Sequence, residues 1–165
     1  MELLGDDGLD RAVREAWRRL DQAGLASLAR HQHPTNRPHL TLASADELPP
    51  GASAVIADAL RALPVPVRLD GLHFFRGRAG VLAWAVDGGE ALRRLQAQIW
   101  SALGGADRNP QHEPGAWTPH ISLARRLRPD QELLAAALIG ETAAVGELSR
   151  ARSYDSISRT VISLP

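Results

Sequence analysis

Two histidines of this chain each stand two residues before a hydroxyl side chain: His39 before Thr41, and His120 before Ser122. An imidazole gives or takes a proton near neutral pH, and a hydroxyl donates a hydrogen bond to an oxygen that gains charge. An imidazole and a hydroxyl presented together suit proton transfer beside a group that needs a hydrogen-bond donor, and here there are two of each. The spacing alone is weak. With 15 Ser and Thr and six His in 165 residues, accident supplies roughly half such a match. Accident does not account for the surroundings, Pro38-His39-Leu40-Thr41-Leu42 and Pro119-His120-Ile121-Ser122-Leu123, where Pro precedes, a branched aliphatic separates and Leu follows in both.

Each pentapeptide reads as a strand. Side chains alternate faces with a period of two, so His39 and Thr41 share one face while Leu40 and Leu42 share the other, and His120 and Ser122 oppose Ile121 and Leu123 in the same way. The motifs lie 81 residues apart, and sliding the chain by 81 gives nine identities in 38 ungapped positions. They include Asp6 with Asp87, Gly8 with Gly89, Gly24 with Gly105 and His31 with His112. The Asp and first Gly fall where a strand gives way to a helix, and the second Gly where that helix should end. Both halves, about 1–77 and 78–165, therefore read as one strand–helix–loop–strand unit, with the two histidine strands facing each other across a groove.

The elements that must position the motifs follow from periodicity and breakers. A short strand at Glu2 to Leu4 leads to a helix from Leu9 to Ala23, with Leu9, Val13, Trp17 and Leu20 on one face. A second helix spans Ala52 to Leu63, between Pro49-Pro50-Gly51 and Pro64. Strands at Val65 to Phe75 and Gly80 to Val86 turn near Arg76-Gly77-Arg78, and a helix from Glu90 to Leu103 stops at Gly104-Gly105. A loop rich in Pro and Gly delivers the second motif, a further helix covers Asp130 to Leu138, and Val145 to Leu164 forms a hairpin turning near Tyr154-Asp155-Ser156. The class is α+β in one bilobal domain, with antiparallel sheets around a central groove.

Composition narrows the chemistry. The 19 basic and 19 acidic residues cancel, so any recognition of phosphate is local, and because every basic residue is Arg a lone arginine carries little weight. Without cysteine there is no disulfide, thiolate nucleophile or cysteine-bound metal. The amino-terminal residues lack signal-peptide character and no apolar run spans a bilayer, so the expectation is a soluble, cytoplasmic protein with no obligate protein partner. His31 and His33 have metal-ligand spacing but no third ligand nearby, so no metal and no cofactor are expected. His73 among Leu72, Phe74 and Phe75 reads as structural, and His31 and His112 stand either at the groove mouth or on surface loops. Trp117 either stacks on a base or packs in the core, and Arg125 either reaches a phosphate or is a plain surface charge.

The paired H-x-[ST]-x motifs, the Phe74-Phe75-Arg76 segment before Val81-Leu82-Ala83-Trp84, and Leu123-Ala124-Arg125 after the second motif resemble the two-histidine (2H) phosphoesterase superfamily. Within it the resemblance is to the bacterial branch of 2′-5′ RNA ligase-like proteins and RNA 2′,3′-cyclic phosphodiesterases. It implies a bilobal fold with a central groove and a metal-free reaction on a phosphodiester, with RNA ends or small cyclic nucleotides as substrate. His39 and His120 would be the acid–base pair, and Thr41 and Ser122 the phosphate ligands. A near-symmetric pair leaves the order of acid and base open; His39 as acid and His120 as base is the assignment taken for ring opening, with 2′-5′ ligation as its reverse. ADP-ribose cyclic phosphate and 2′,5′-linked oligonucleotides are alternative substrates. A non-catalytic nucleotide-binding module is the alternative role, and turnover separates it from an enzyme.

Overall fold

A computed structural model of the chain describes residues 1–77, 80–140 and 144–165. Helix α1 (Asp7–Gln22) follows strand β1 (Glu2–Gly5), and the Asp6 carboxylate caps it by accepting the Leu9 amide at 2.8 Å. The helix buries Leu9, Val13, Ala16, Trp17 and Leu20, the stripe expected from three- and four-residue spacing. Helix α3 (Gly89–Ala102) does the same with Leu92, Leu95 and Ile99. Just beyond each helix a glycine turns the chain in the left-handed region, Gly24 at φ +73° and Gly105 at φ +99°, which is why glycine recurs at this position.

The first motif contributes only Leu40–Thr41 to the sheet as β2, because Pro38 has no N–H for a ladder and His39 sits just outside it. The alternation nevertheless holds, with Leu40 and Leu42 buried and His39 and Thr41 partly exposed. Helix α2 is Ala52–Leu60 and stops short of Leu63. The amides of Arg61, Ala62 and Leu63 bond carbonyls three residues back instead of four, a tightened turn that suits the residue before Pro64. Strands β3 (Val65–Phe75) and β4 (Val81–Asp87) form a hairpin whose expected turn residue Arg78 lies outside the described residues. After β5 (His120–Ala124), Pro129–Gln131 makes a tight turn, so that α4 is Glu132–Ile139 and begins later than Asp130. The final hairpin pairs β6 (Ala144–Asp155) with β7 (Thr160–Leu164). Its turn lies after Asp155, whose carboxylate accepts from the Ile157 and Ser158 amides and the Ser158 hydroxyl.

All strand pairings are antiparallel, in the order β1-β2-β5-β4-β3-β6-β7, and a further β1–β6 pairing closes the first six into a ring. Replacing each strand by the one 81 residues on returns the same ring. Two of the pairs show the offset directly: Leu40 faces Ile121 in β2–β5, and Pro66 faces Glu147 in β3–β6. Helix α1 packs on α4 and α2 on α3, so each helical pair also joins elements distant in sequence or separated by the β3–β4 hairpin. The apolar sheet face, with Leu3, Leu40, Leu82, Ile121 and Leu123 all at most 2% exposed, meets these helices and forms the core. The other face carries the motif histidines and hydroxyls.

Candidate active site

The β2–β5 pair brings the motifs side by side, with Leu40 opposite Ile121 on the buried face and His39, Thr41, His120 and Ser122 on the opposite one. Their backbones are braced from behind. The Trp17 indole N–H donates to the Ser122 carbonyl at 3.0 Å, and the Trp117 indole N–H donates to the Thr41 carbonyl at 2.9 Å. The buried Gln96 amide reaches the carbonyls of Leu42 and His112 at 3.1 and 2.6 Å. The bonds to Ser122, Thr41 and Leu42 satisfy backbone oxygens of the two motif strands and fix where those strands lie.

Both imidazoles are held alike. His39 Nδ1 donates to the Arg37 carbonyl at 2.7 Å, and His120 Nδ1 donates to the Thr118 carbonyl at 2.8 Å. A carbonyl only accepts, so Nδ1 carries the proton and Nε2 is the nitrogen free to give or take one. The hydroxyls of Thr41 and Ser122 form no hydrogen bond among the described residues.

The surroundings of the two rings differ. Burial holds His120 below its ordinary value of 6.5, and positive charge on His73, His39 and Arg125 pushes the same way, against the pull of the Thr118 carbonyl. The Phe75 ring packs 4.6 Å from the His120 ring and 4.1 Å from that of His73. Phe75 also lines a cavity of about 360 Å³ with Phe74, Arg76, Arg126 and Leu127. Beside His39 stands Glu2, with Oε1 3.4 Å from Nε2, and the Arg152 Nε donates to Glu2 Oε2 at 2.7 Å. Glu2 and Arg152 escape a reading of sequence alone, since they meet only through the β1–β6 register. A lone acid in a strand that otherwise reads as apolar is the signal that could have marked Glu2.

Arg125 is exposed at the end of β5, has no carboxylate partner among the described residues, and lies near enough for its charge to act on His120. Trp117 is 6% exposed and its N–H is spent on Thr41, so its ring belongs to the core and it supports the site through the backbone, not as a stacking face. His112 is half-buried and its Nδ1 accepts the Ser44 amide at 3.1 Å, bracing the exit from β2. The rings of His31 and His33 stack 6.3 Å apart, and His33 Nδ1 meets the Thr35 hydroxyl at 2.7 Å. Among the described residues no three His, Asp or Glu side chains gather as metal ligands, and no helix is long and apolar enough to cross a membrane.

Residues 8–153 match the family model of the 2′-5′ RNA ligase superfamily. The chain belongs to the 2′-5′ RNA ligase superfamily. That membership makes it a 2H phosphoesterase, and both H-x-[ST] motifs fall inside the matched span. The superfamily fold is also seen in the solved structure of Usb1 from Kluyveromyces marxianus. Usb1 is similar to this chain with a TM-score of 0.53 at 15% sequence identity, over 99% of this chain and 95% of its own. No curated protein matches the sequence.

Proposed function

We propose that this superfamily member is a metal-free phosphodiesterase that opens a 2′,3′-cyclic phosphate to a 2′-phosphate, on RNA ends or nucleotides in the cytoplasm. The observation that carries the reading is the matched tethering of the two histidines, Nδ1 on a carbonyl two residues back in each, beside two uncommitted hydroxyls. A phosphate on the line between Leu40 and Ile121 would have one imidazole on each side. Displacement at phosphorus in line, with the attacking and leaving oxygens opposite, asks for that layout.

In this scheme His120 Nε2 takes a proton from water as the water oxygen bonds to phosphorus. The bond from phosphorus to the ribose 3′ oxygen breaks, and that oxygen leaves with the electron pair and takes the proton held on His39 Nε2. Thr41 and Ser122 donate to the two non-bridging oxygens, where charge grows. With a hydroxyl of another nucleotide in place of water as the attacking group, the same proton transfers leave a phosphodiester on the 2′ oxygen, so ligation and hydrolysis share one site. The proposal takes residues 1–165 as a single domain of two repeated halves, 1–77 and 78–165, with the phosphate between them, and assigns Arg125 a contact with substrate.

The test is a panel of 2′,3′-cyclic nucleotides, ADP-ribose cyclic phosphate and 2′,5′-linked dinucleotides assayed in EDTA. Turnover of the 2′,3′-cyclic nucleotides in EDTA, lowered about 10²- to 10⁴-fold in His39→Ala and in His120→Ala, is the expected result. Near wild-type activity in His39→Ala, or loss of all activity in EDTA, would overturn the proposal.

A further inference from the structure

The two halves place unlike groups beside their histidines. In β1–β2 Glu2 lies opposite Thr41, and in β4–β5 the residue opposite Ser122 is Ala83, 81 positions after Glu2. Arg152 lies opposite Glu2 in β1–β6, and the residue 81 positions before Arg152 is Gly71. One histidine is therefore neighboured by a carboxylate that a guanidinium holds, and the other by a methyl group.

Resting on the phosphodiesterase reading, we propose that Glu2 is a positioning residue that keeps the proton on His39, making His39 the acid and leaving His120 as the base. Glu2 Oε1 is 3.4 Å from His39 Nε2, an ion-pair distance without the alignment of a hydrogen bond, so the Nε2 proton remains available to a leaving oxygen. Arg152 grips the other oxygen at 2.7 Å, and its Nη1 is itself anchored on the Thr35 carbonyl at 3.0 Å. The Arg152 and Glu2 side chains are 7% and 11% exposed, so water screens the carboxylate little and the rotamer has little room to wander.

The charges around His39 come from several elements. Glu2 faces it from β1, and the Met1 amino group feels the Glu2 charge in turn. Arg152 reaches Glu2 from β6, His120 stands on β5 with Arg125 just beyond it, and His73 lies on β3 beside Phe75. Of these, Glu2 alone is negative, and it stands at ion-pair distance from the ring. His120 has only positive neighbours and a buried setting, which favours the neutral form that a base must have. The asymmetry thus supplies the order that two near-identical motifs leave open.

The experiment compares wild type, Glu2→Gln and Glu2→Asp by the pH profile of kcat/KM on a 2′,3′-cyclic nucleotide. It adds ¹⁵N NMR titration of the imidazoles in the protein without substrate, with the His39 signal identified by its loss in His39→Gln. Glu2→Gln keeps the size and an oxygen for Arg152 while removing the charge. The expected result is that His39 releases its proton about tenfold more readily in Glu2→Gln, so that the alkaline limb moves about one unit toward acid while the acid limb stays. Glu2→Asp, with the charge set one methylene back, should give a smaller shift in the same direction, and it carries the test if Glu2→Gln does not fold.

A His39 titration and an alkaline limb that are unchanged in these variants would overturn the proposal. So would movement of the acid limb instead, which would make His39 the base. Absence of turnover in every variant and in wild type would be the failure of the phosphodiesterase reading; the NMR titration would then still decide whether Glu2 holds the proton on His39.

Discussion

Replacing Arg152 by Met tests the ion pair that joins the two ends of the chain. The pair is close, 2.7 Å from Nε to Oε2, and almost dry, with side chains 7% and 11% exposed. Met keeps much of the apolar stem but leaves the Glu2 carboxylate buried without its cation, a change that costs about 3–5 kcal/mol. The Thr35 carbonyl also loses the Nη1 donor at 3.0 Å, a contribution of about 1 kcal/mol inside that range. For a chain of 165 residues, each kcal/mol shifts Tm by about 2–4 °C, so the melting temperature should fall by about 6–20 °C. The double variant Glu2→Leu with Arg152→Met removes both charges together and should return to within about 1 kcal/mol of wild type. Urea unfolding followed by circular dichroism reads both quantities from the midpoints at constant slope. A loss under about 1 kcal/mol in the single variant, or a double variant as unstable as the sum of the two singles, would refute the reasoning that the loss comes from a buried charge left without its partner.

Other consequences are as direct. Since burial lowers His120, the acid limb of kcat/KM should lie below the ordinary histidine value of 6.5; a limb above it in a pH-rate profile would contradict the burial argument. His112 is likewise lowered, by burial first and then by neighbouring positive charge. A histidine depressed in the fold stabilises fully above the unfolded value and loses that contribution as pH falls, so unfolding free energy should drop below pH 6.5. The drop should be smaller in His112→Asn. Trp117→Phe deletes the N–H on the Thr41 carbonyl and should cost about 1–3 kcal/mol in denaturant melts. Leu40→Ala, at a fully buried position on the β2–β5 pair, should cost about 2–5 kcal/mol in the same measurement.

The face of each motif residue was legible in the sequence because a period of two is a local property: Leu40 and Leu42 went inward and His39 and Thr41 outward even though only two residues keep strand pairing. The helix ends were legible to within a few residues from Asp6, Gly24 and Gly105, whose capping and left-handed backbone are also local. Trp117 was ambiguous because an aromatic next to a motif reads the same whether its ring faces substrate or core; the Thr41 carbonyl, 76 residues away, decides it. The pairing of Glu2 with Arg152 was out of reach for the same reason in stronger form, even though Glu2 alone stands out as an acid in an apolar strand. Their meeting depends on a register between the first and sixth strands, which no window of sequence encodes.

The β1–β6 closure also bears on when the site comes into being. A growing chain has all four motif residues once Ser122 is made, yet β1 lacks its β6 neighbour until the chain reaches Arg152. Contacts between residues so distant in sequence form slowly, because the loop must close before any pairing rewards it. A chain that ends short of Arg152 would carry both histidines with one wall of their groove missing. Synthesis order thus makes β6 a checkpoint, because the wall beside His39 is complete only after a strand made well after both motifs.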